Sequence, residues 1–553
     1  MSDAGKDLIP GTEWWRTAVI YQIYPRSFAD ANGDGVGDLR GVTSRLPELE
    51  ALGVDAIWLS PFYVSPQHDA GYDVADFTDV DPLFGTLDDF DHMLAEAHGR
   101  GIRVIVDMVP NHTSADHEWF QAALAAGPGS EERDHFVFRE GTGEDGSEPP
   151  NNWQSVFGGP AWTRVTEADG NPGQWYLHLF DTSQPDLNWE HEWVAQQFDD
   201  ILRFWLDRGA DGFRVDVAHG LIKASGLPDH ATAPGPVASG GDTLDNPAPF
   251  WAQEPVHDVW RRWRKVVDEY DGERVLCAEA WVYPLARMAK WVRPDEMHQS
   301  FNFAYLETAW DADALKQVIT ESLHEFSAVG APSTWVLSNH DVVRHVSRLA
   351  LTFDNPQGHG IGPNSPAMPD LDIGLKRARA ATAMMLALPG SAYLYQGEEL
   401  GLPEVIDIPD NARQDPTWAR TNGERYGRDG CRVPLPWSPS EPAYGFSPTG
   451  ASWLPQPEIW ADFAREVQAG DPNSTLSLYT AALKARREFG TAACDLEWIA
   501  DVPAGVVAFR VGEVTVYANL GDAPVPLPAG KILLASSPHD SELQPDTAVW
   551  LTH

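Results

Sequence analysis

The sequence contains few cysteines and no long apolar run. Its three cysteines, Cys277, Cys431 and Cys494, have no CxxC spacing, so they argue against a zinc site and cannot form a fully paired disulfide framework. No segment approaches the roughly 20 apolar residues of a membrane-spanning helix. The N-terminal residues MSDAGKDLIPGTEWW have neither the basic region nor the apolar stretch of a secretory signal. We therefore expect a cytoplasmic protein in a reducing compartment.

Basic residues are also scarce. Lysine and arginine together number 39 against 82 aspartates and glutamates, and the net charge is -43 at pH 7. Such a chain would repel phosphate backbones and anionic lipid headgroups, so we expect neither nucleic acid nor a membrane as a partner. With 553 residues, of which 43% are hydrophobic and 22% charged, the chain is long enough for several domains or for one large barrel with appended domains.

Eight short apolar or β-branched runs alternate with segments of helical periodicity, such as residues 87–101 and 195–210. The predicted strands are Thr17–Tyr24, Ala56–Leu59, Arg103–Met108, Gly212–Val215, Val275–Ala280, Gln299–Phe303, Thr334–Leu337 and Ser391–Leu394. A strand that follows a helix that follows a strand indicates parallel pairing. Eight such units predict an α/β fold, a closed (β/α)₈ TIM barrel.

The alternation stops after the third strand, where a stretch rich in Gly, Pro and Trp replaces the expected helix. The last 75 or so residues contain runs that alternate like antiparallel strands; these runs are Val506–Phe509, Val514–Ala518 and Lys531–Leu534. The predicted domains are the barrel at residues 1–111 and 186–476, an inserted subdomain at residues 112–185, and a C-terminal antiparallel β-sandwich at residues 477–553. Residues 229–248 and 353–369 are further expected loop insertions at the end of the barrel where the strands finish.

Polar residues follow the predicted strands at their C-terminal ends, where barrels of this kind build their active sites. These residues are Asp107, Asn111 and His112 after the third strand, Arg214 and Asp216 after the fourth, Glu279 after the fifth, and Asn339, His340 and Asp341 after the seventh. Any one of them could be a structural charge or a helix cap. The ordered set at successive strand ends favours a catalytic site.

These motifs resemble those of glycoside hydrolase family 13, the α-amylase family, and within it the α-glucosidase and oligo-1,6-glucosidase group. The motifs are DMVPNH (Asp107–His112), GFRVDVAH (Gly212–His219), LCAEAW around Glu279 and LSNHD (Leu337–Asp341). QPDLNW (Gln184–Trp189) is similar to an additional motif that precedes the fourth strand in the family. The resemblance runs from about Trp14 to the C-terminus.

The resemblance implies a retaining cleavage of glycosidic bonds, which needs a carboxylate nucleophile and a carboxylic acid about 5 Å apart. Asp216 fits the first role and Glu279 the second. Arg214 and Asp216 are two residues apart on one strand, so their side chains share a face, and the guanidinium is expected to keep the carboxylate ionised. Glu279 is flanked by two alanines, an apolar setting that suits an acid which must hold its proton.

Other residues are assigned to the glucose subsite by the resemblance. Asp69 and Tyr72 match the segment that closes this subsite in exo-acting relatives, with Tyr72 as a stacking platform, and Arg432 resembles the arginine that pairs with that aspartate. A pocket closed in this way would admit only the terminal glucose. The resemblance also implies that Asp341 holds the hydroxyls of that glucose, favouring distortion toward an oxocarbenium ion, and that His112 and His340 donate to it.

A loop near the N-terminus places oxygen-bearing side chains at alternating positions around glycines, much as a calcium-binding loop does. A turn without metal is the alternative, since Gly41 occupies the position at which an EF-hand has its last glutamate. The resemblance implies a structural Ca²⁺ or Mg²⁺ ion and no organic cofactor. The expected ligands are Asp30, Asn32, Asp34, the Val36 carbonyl and Asp38.

The sequence thus predicts an intracellular, retaining, exo-acting α-glucosidase that acts on short oligosaccharides and can pass glucose to sugar or alcohol acceptors. An oligo-1,6-glucosidase, or a glucosyltransferase or sucrose- or trehalose-type isomerase of the same family, is the second interpretation, because an acceptor can intercept a covalent glucosyl intermediate. The non-enzyme interpretation is a carbohydrate-binding or transporter-associated protein, although such members usually lack the catalytic carboxylates. We expect a monomer or a homodimer.

The linkage preference depends on the residues that follow Asp216. Val217 and Gln184 resemble enzymes that cleave α-1,6 bonds, whereas the Ala-His-Gly at residues 218–220 resembles maltose-acting bacterial relatives. One methyl group contributes only about 1–3 kcal/mol of discrimination, so Val217 alone does not decide the preference. We favour cleavage of α-1,4 over α-1,6 bonds.

Overall fold

The computed structural model describes residues 13–230, 248–538 and 541–553. Its strands are β1 (Val19–Ile23), β2 (Ala56–Leu59), β3 (Tyr63–Val64), β4 (Asp76–Val80), β5 (Arg103–Met108), β6 (Phe138–Arg139), β7 (Trp162–Thr166), β8 (Pro172–Leu177), β9 (Gly212–Val215), β10 (Val275–Ala278), β11 (Gln299–Ser300), β12 (Thr334–Val336), β13 (Ser391–Tyr395), β14 (Leu496–Trp498), β15 (Val506–Val511), β16 (Val514–Asn519), β17 (Val525–Pro526), β18 (Lys531–Ala535), β19 (Glu542–Leu543) and β20 (Thr547–Thr552).

The α-helices are α1 (Leu39–Leu52), α2 (Leu87–Gly99), α3 (Glu118–Ala126), α4 (Glu131–Asp134), α5 (Glu192–Asp207), α6 (Val256–Val267), α7 (Leu285–Met288), α8 (Phe303–Glu307), α9 (Ala312–Ala328), α10 (His345–Arg348), α11 (Leu371–Ala387), α12 (Pro416–Arg420), α13 (Trp460–Phe463), α14 (Arg465–Ala469) and α15 (Thr475–Phe489). Within the described ranges, none of these helices has the length and the apolar character needed to cross a bilayer.

Eight parallel strands form the barrel. They pair in the order β11, β10, β9, β5, β2, β1, β13, β12, and the ring closes through a parallel bridge between Phe301 and Thr334, beside which the Asn302 amide donates to the Thr334 carbonyl (2.9 Å). The strands are apolar at nearly every position because one face packs in the barrel interior and the other against helices. The predicted barrel is confirmed, and all eight predicted strands overlap observed ones.

The helices around the barrel bury one face each. In α2, the Thr86 hydroxyl accepts from the Asp89 amide while the Asp89 carboxylate accepts from the Thr86 amide. This capping box gives acceptors to two backbone N–H groups that have no partner within the helix. The buried residues of α2 recur at helical spacing and are Phe90, Met93, Leu94 and Ala97. This spacing makes the apolar stripe that packs against the strands.

An inserted subdomain separates β5 from β9. It contains α3, α4 and a three-stranded antiparallel sheet in the order β6, β8, β7. An antiparallel bridge joins His112 to Asp186, and the Thr113 amide donates to the Pro185 carbonyl (3.3 Å). The chain therefore enters and leaves the subdomain at one neck, beside the barrel mouth.

The C-terminal residues form an antiparallel domain, as predicted. Its main sheet has the order β14, β15, β16, β20, β18, and β17 pairs with β19. The preceding helix α15 packs against α1 and α11 of the barrel and against β18 of the antiparallel sheet, so it lies at the junction of the two domains. The Trp550 indole donates to the Ala383 carbonyl of α11 (2.8 Å) and joins the sheet to the barrel.

Two loop insertions were expected where the barrel strands end. Residues 353–369 lie between α10 and α11, without a helix or strand, and Gln357 and Gly358 reach the barrel mouth. Of the other expected insertion, residues 231–247 lie outside the described residues.

Candidate active site

A cavity opens at the C-terminal ends of the barrel strands, between the barrel and the inserted subdomain. Among its lining residues are Asp69, Tyr72, His112, Asp216, Glu279 and Asp341, all of which the sequence predicted, together with Arg428, which it did not. Residues from six different loops therefore meet at one place, as expected for this end of a parallel barrel.

Arg214 lies at the centre of a carboxylate cluster. Its Nη1 donates to Asp107 Oδ1 (2.9 Å) and to Asp216 Oδ1 (2.6 Å), and its Nη2 lies 3.3 Å from Glu279 Oε2. Asp107 on β5 is the register partner of Arg214 on β9, and residues 214 and 216 share a face because strand side chains alternate. The buried guanidinium therefore holds three carboxyl groups side by side.

The three carboxyl groups share this one buried cation. Burial raises the pKa of Asp107 to about 6, although Arg214 lowers it. Burial also raises the pKa of Asp216 well above its usual range; Arg214 opposes this, whereas Glu279 and Asp107 add to it. Arg214 thus acts on Asp216 in the predicted direction, while burial and the two neighbouring carboxylates, which the sequence did not reveal, act against it.

Glu279 follows β10 and receives a hydrogen bond on each carboxylate oxygen. The Val217 amide donates to Oε2 (2.7 Å), and the Trp281 indole donates to Oε1 (2.9 Å). Val217 has a φ of 45°, a strained conformation for a β-branched residue, and this turn directs its amide at Glu279. Trp281 was given no role from sequence, although its spacing of two residues from Glu279 is the signal for a shared face.

Asp341 follows β12 and is held by two guanidinium groups. Its Oδ1 accepts from Arg428 Nη1 (3.1 Å) and from Arg432 Nη2 (2.9 Å). Burial raises the pKa of Asp341, but His340, Arg428 and Arg432 together bring it below the usual value of an aspartate. The group is therefore ionised, and its oxygens can accept hydrogen bonds from hydroxyl groups of a ligand.

The predicted ion pair between Asp69 and Arg432 is wrong. Arg428 Nη2 donates to Asp69 Oδ1 (2.7 Å), whereas Arg432 Nε donates to the His340 carbonyl (2.8 Å). The two arginines flank the 3₁₀ turn Asp429–Cys431, and at three residues per turn their side chains point about 120° apart. The segment contains both arginines, and matching of a motif could not show which one faces the cavity.

Arg428 and Asp69 both line the cavity and belong to a wider polar network. Asp69 also accepts from Gln184 Nε2 (3.0 Å), and Arg428 Nε donates to Asp415 Oδ2 (2.6 Å). Burial raises the pKa of Asp69 to about 6, against the lowering effects of Arg428 and Arg432. The arginine thus bridges the barrel loop that carries Asp341 to the loop that carries Asp69.

Tyr72 and His112 line the cavity, whereas His340, which stacks on Tyr72, is not among the lining residues. The Tyr72 hydroxyl donates to Asp107 Oδ2 (3.1 Å), and its ring is parallel to that of His340 at 5.1 Å. His112 Nε2 lies 3.2 Å from the Tyr72 carbonyl. Burial lowers the pKa of His112 to about 4 and that of His340 well below its usual value. Both rings are therefore neutral at pH 7.

The predicted metal loop lies between β1 and α1. The Asp30 carboxylate accepts from the Gly33 and Gly35 amides (2.6 and 2.8 Å), and Asp38 Oδ2 accepts from the Ala31 amide (3.0 Å). Asp30 and Asp38 are buried, whereas Asp34 is exposed. All donors in the loop are hard oxygens, as Ca²⁺ and Mg²⁺ prefer, but the three aspartates do not bring their oxygens within 4.8 Å of one another.

One group of three potential ligands does meet that distance in the part of the chain that the structure describes. It consists of Glu131, His135 and His191, far along the chain from the predicted loop. His191 Nδ1 accepts from the Trp193 amide (3.3 Å) as the N-cap of α5. This histidine therefore already serves a structural purpose.

The chain matches a family model described as "Alpha amylase, catalytic domain" over residues 22–493. It is 40% identical over 497 residues to a protein of Rhizobium meliloti (strain 1021) named "Probable alpha-glucosidase", covering 87% of this chain and 84% of the relative. It is 36% identical over 513 residues to an oligo-1,6-glucosidase of Heyndrickxia coagulans, covering 86% of each chain.

The fold is also similar to those of solved structures. The fold is similar to that of an α-glucosyl transfer enzyme, XgtA, with a TM-score of 0.82 and 35% identity, covering 98% of this chain and 100% of the other. It is also similar to the trehalulose synthase MutB, with a TM-score of 0.82 and 29% identity over the same shares of the two chains.

Proposed function

The chain belongs to the alpha-amylase family of glycoside hydrolases, and we propose that within this family it is a retaining, exo-acting α-glucosidase for short α-glucosides. The observation that carries the proposal is the pair of contacts that Arg428 makes with Asp69 and Asp341. All three residues line the cavity that contains Asp216 and Glu279, and we infer that their contacts close one end of it. A substrate can then place only its terminal sugar against the two carboxyl groups.

In the first step, Asp216 acts as the nucleophile and Glu279 as the acid. The Asp216 carboxylate attacks the anomeric carbon, the glycosidic bond breaks, and Glu279 gives its proton to the departing oxygen. This step needs an ionised Asp216, and the Arg214 guanidinium 2.6 Å from its Oδ1 favours that form. Asp341, held by its two arginines, accepts hydrogen bonds from the hydroxyls of the same glucose as positive charge develops on the ring.

In the second step, Glu279 acts as the base. It takes a proton from water, the water oxygen attacks the anomeric carbon, and the bond to Asp216 breaks. An acceptor hydroxyl can enter in place of water, which transfers the glucosyl group to a sugar or an alcohol. The similarity to XgtA, an α-glucosyl transfer enzyme, supports such transfer as a side activity.

The exo specificity is tested with purified protein and a chain-length series. We expect kcat/KM to be higher for maltose and maltotriose than for amylose, with glucose as the only early product and with the α-anomer released first. Early appearance of maltose or longer fragments from amylose would contradict a closed pocket. Release of the β-anomer would contradict retention.

The linkage preference is a separate prediction. Val217 lies directly after Asp216 and lines the cavity, and we expect the chain to prefer maltose over isomaltose by a factor of about 10, a difference of about 1.4 kcal/mol that a few side-chain atoms can supply. Measurement of kcat/KM for both disaccharides at equal ionic strength checks it. A clear preference for isomaltose would show that Val217 determines the linkage preference more strongly than residues 218–220 do.

We further propose that the loop from Asp30 to Asp38 holds a structural Ca²⁺ or Mg²⁺ ion. Carboxylates crowded in one loop repel each other, and a cation bound only to the folded state stabilises that state. Asp30 and Asp38 would bind it through lone pairs that their amide hydrogen bonds leave free, together with Asn32, Asp34 and the Val36 carbonyl. The loop lies outside the cavity lining, so we assign the ion no chemical step.

Chelation is expected to lower the Tm by roughly 2–4 °C, the change that about 1 kcal/mol produces in a domain, and to leave the initial rate unchanged at a temperature well below the Tm. Differential scanning calorimetry with and without added Ca²⁺ measures the shift. Asp34→Asn should remove the response to Ca²⁺, whereas the control Asp88→Asn, on an exposed site of α2, should keep it. A Tm that stays constant after verified removal of metal would rule the site out.

A further inference from the structure

We propose that Trp281 is a positioning residue that makes Oε1 of Glu279 the oxygen that delivers the proton to the leaving sugar. The inference rests on the proposed glucosidase function and extends it to a residue outside the carboxylate cluster. Trp281 lines the same cavity as Glu279, and its indole nitrogen is 2.9 Å from Oε1.

The two oxygens of Glu279 have different surroundings. Oε2 accepts from the Val217 amide (2.7 Å) and lies 3.3 Å from Arg214 Nη2. An oxygen that faces two donors, one of them charged, is a poor place for a proton, because the proton would point at other hydrogens. Oε1 faces one donor, the Trp281 indole, and has a second lone pair left for the proton. The acidic hydrogen of Glu279 therefore belongs on Oε1.

The indole that holds Oε1 is itself fixed. Its ring stacks on Phe303 with centroids 3.7 Å apart and planes within 8°. Trp281 and Phe303 are both buried, and Phe303 opens helix α8 directly after barrel strand β11. The direction of the Trp281 hydrogen bond is thus set by the next strand of the barrel and not by a mobile loop.

The chemistry of the indole suits this purpose. Its nitrogen donates and cannot accept, so Trp281 can orient Oε1 but cannot remove the proton that Glu279 must deliver. After the proton has left, the same hydrogen bond stabilises the Glu279 carboxylate during the lifetime of the glucosyl intermediate. Proton transfer requires a group placed to within about 0.5 Å, and loss of an orienting partner typically costs roughly 10- to 100-fold in activity.

Trp281→Phe removes the donor and retains an aromatic ring against Phe303. We expect kcat/KM for maltose, whose leaving group needs a proton, to fall roughly 10- to 100-fold. We expect kcat/KM for α-glucosyl fluoride, whose leaving group needs little protonation, to change less than about threefold, since nucleophilic attack by Asp216 is intact. kcat/KM is the quantity to compare because it reports the first chemical step for both substrates.

Two further variants make the result specific. Trp335→Phe also removes a buried indole donor, here to the Pro389 carbonyl (2.6 Å) away from the cavity, and should leave both substrates nearly unaffected. Phe303→Leu keeps the Trp281 donor but loosens its stack, and should give a smaller loss that is again selective for maltose. It serves as the test if Trp281→Phe does not fold, which circular dichroism will show.

Equal losses on maltose and glucosyl fluoride would overturn the proposal and leave Trp281 as a wall of the pocket. Unchanged kcat/KM on both substrates would overturn it as well. A wild-type protein that is inactive on both substrates would instead contradict the proposed function. The two failures are therefore distinguishable in one set of assays.

Discussion

Replacement of Asp216 by Asn is expected to lower kcat/KM for maltose by on the order of 10⁴- to 10⁶-fold, as removal of a nucleophile does in other enzymes. The amide cannot form the covalent bond to the anomeric carbon. Asp→Asn preserves size, and Arg214 keeps Asp107 as a partner at 2.9 Å, so the Tm should change little. The surface control Asp200→Asn, on α5, should retain wild-type activity.

Rescue by azide distinguishes the role of Glu279 from that of Asp216. Glu279→Ala removes the acid and the base but leaves the nucleophile, so an activated aryl α-glucoside should still form the glucosyl intermediate. Azide needs no base, and it should attack this intermediate and restore part of the turnover. Asp216→Asn should not respond to azide in this way. Near-normal activity of Asp216→Asn would show that another group is the nucleophile.

Replacement of Arg428 by Met is expected to lower kcat/KM for maltose roughly 30- to 1,000-fold, since truncation of one partner of a buried charge pair costs about 2–4 kcal/mol. The variant leaves Asp69 with only the Gln184 amide as a donor and takes one guanidinium from Asp341. Loss of the side chain that we propose closes the cavity should open that end, so the activity on amylose relative to maltose should rise. Arg428→Lys should recover only part of the lost kcat/KM, since one ammonium group cannot donate to several carboxylates at once as the planar guanidinium does.

Arg420→Met is the matched control for this prediction. Arg420 also contacts the inserted subdomain, through Asp181 (3.4 Å) and the Gly158 carbonyl (2.8 Å), but it is not bonded to Asp69 or Asp341. Its loss should affect stability more than kcat/KM. An Arg428→Met variant with an unchanged Tm and unchanged kinetics on both maltose and amylose would contradict the closed pocket.

The barrel was predictable because its strands are buried on both faces. Runs such as Ala56–Leu59 and Arg103–Met108 are apolar at almost every position, and the observed bounds of these two strands are the predicted ones. The C-terminal boundary was less predictable, since α15 has the same amphipathic character whether it packs on the barrel or on the following sheet. In the structure it packs on both, against α1 and α11 of the barrel and against β18 of the sheet.

The carboxylates of the site were predictable from their position after successive strands, but their partners were not. Sequence spacing identified Arg214 and Asp216 as neighbours on one face. It could not show that Asp107 and Glu279 also approach the same guanidinium, nor that both carboxylates and burial raise the pKa of Asp216 against the effect of Arg214. Electrostatic shifts depend on burial and on all charges within a few ångströms, which come from strands far apart in the chain.

The pairing of Arg428 with Asp69 could not be predicted from the sequence either. The two residues are 359 positions apart, and the short 3₁₀ turn after Arg428 decides which of two nearby arginines faces the cavity. No periodicity in the sequence encodes the direction of a side chain in a single turn. The Trp281 contact is a contrasting case, since its spacing from Glu279 is local and is visible in the sequence.

The proposed mechanism requires Asp216 to form a covalent bond to glucose, and trapping of that glucosyl-enzyme would show the bond itself. A 5-fluoro-α-glucosyl fluoride slows both chemical steps but keeps a good leaving group, so the glucosyl-enzyme should accumulate. After proteolysis, mass spectrometry should find one fluoroglucosyl unit on the peptide that contains Asp216, and none in Asp216→Asn. A label on Glu279 or Asp107, or steady turnover of the reagent with no labelled peptide, would contradict the account.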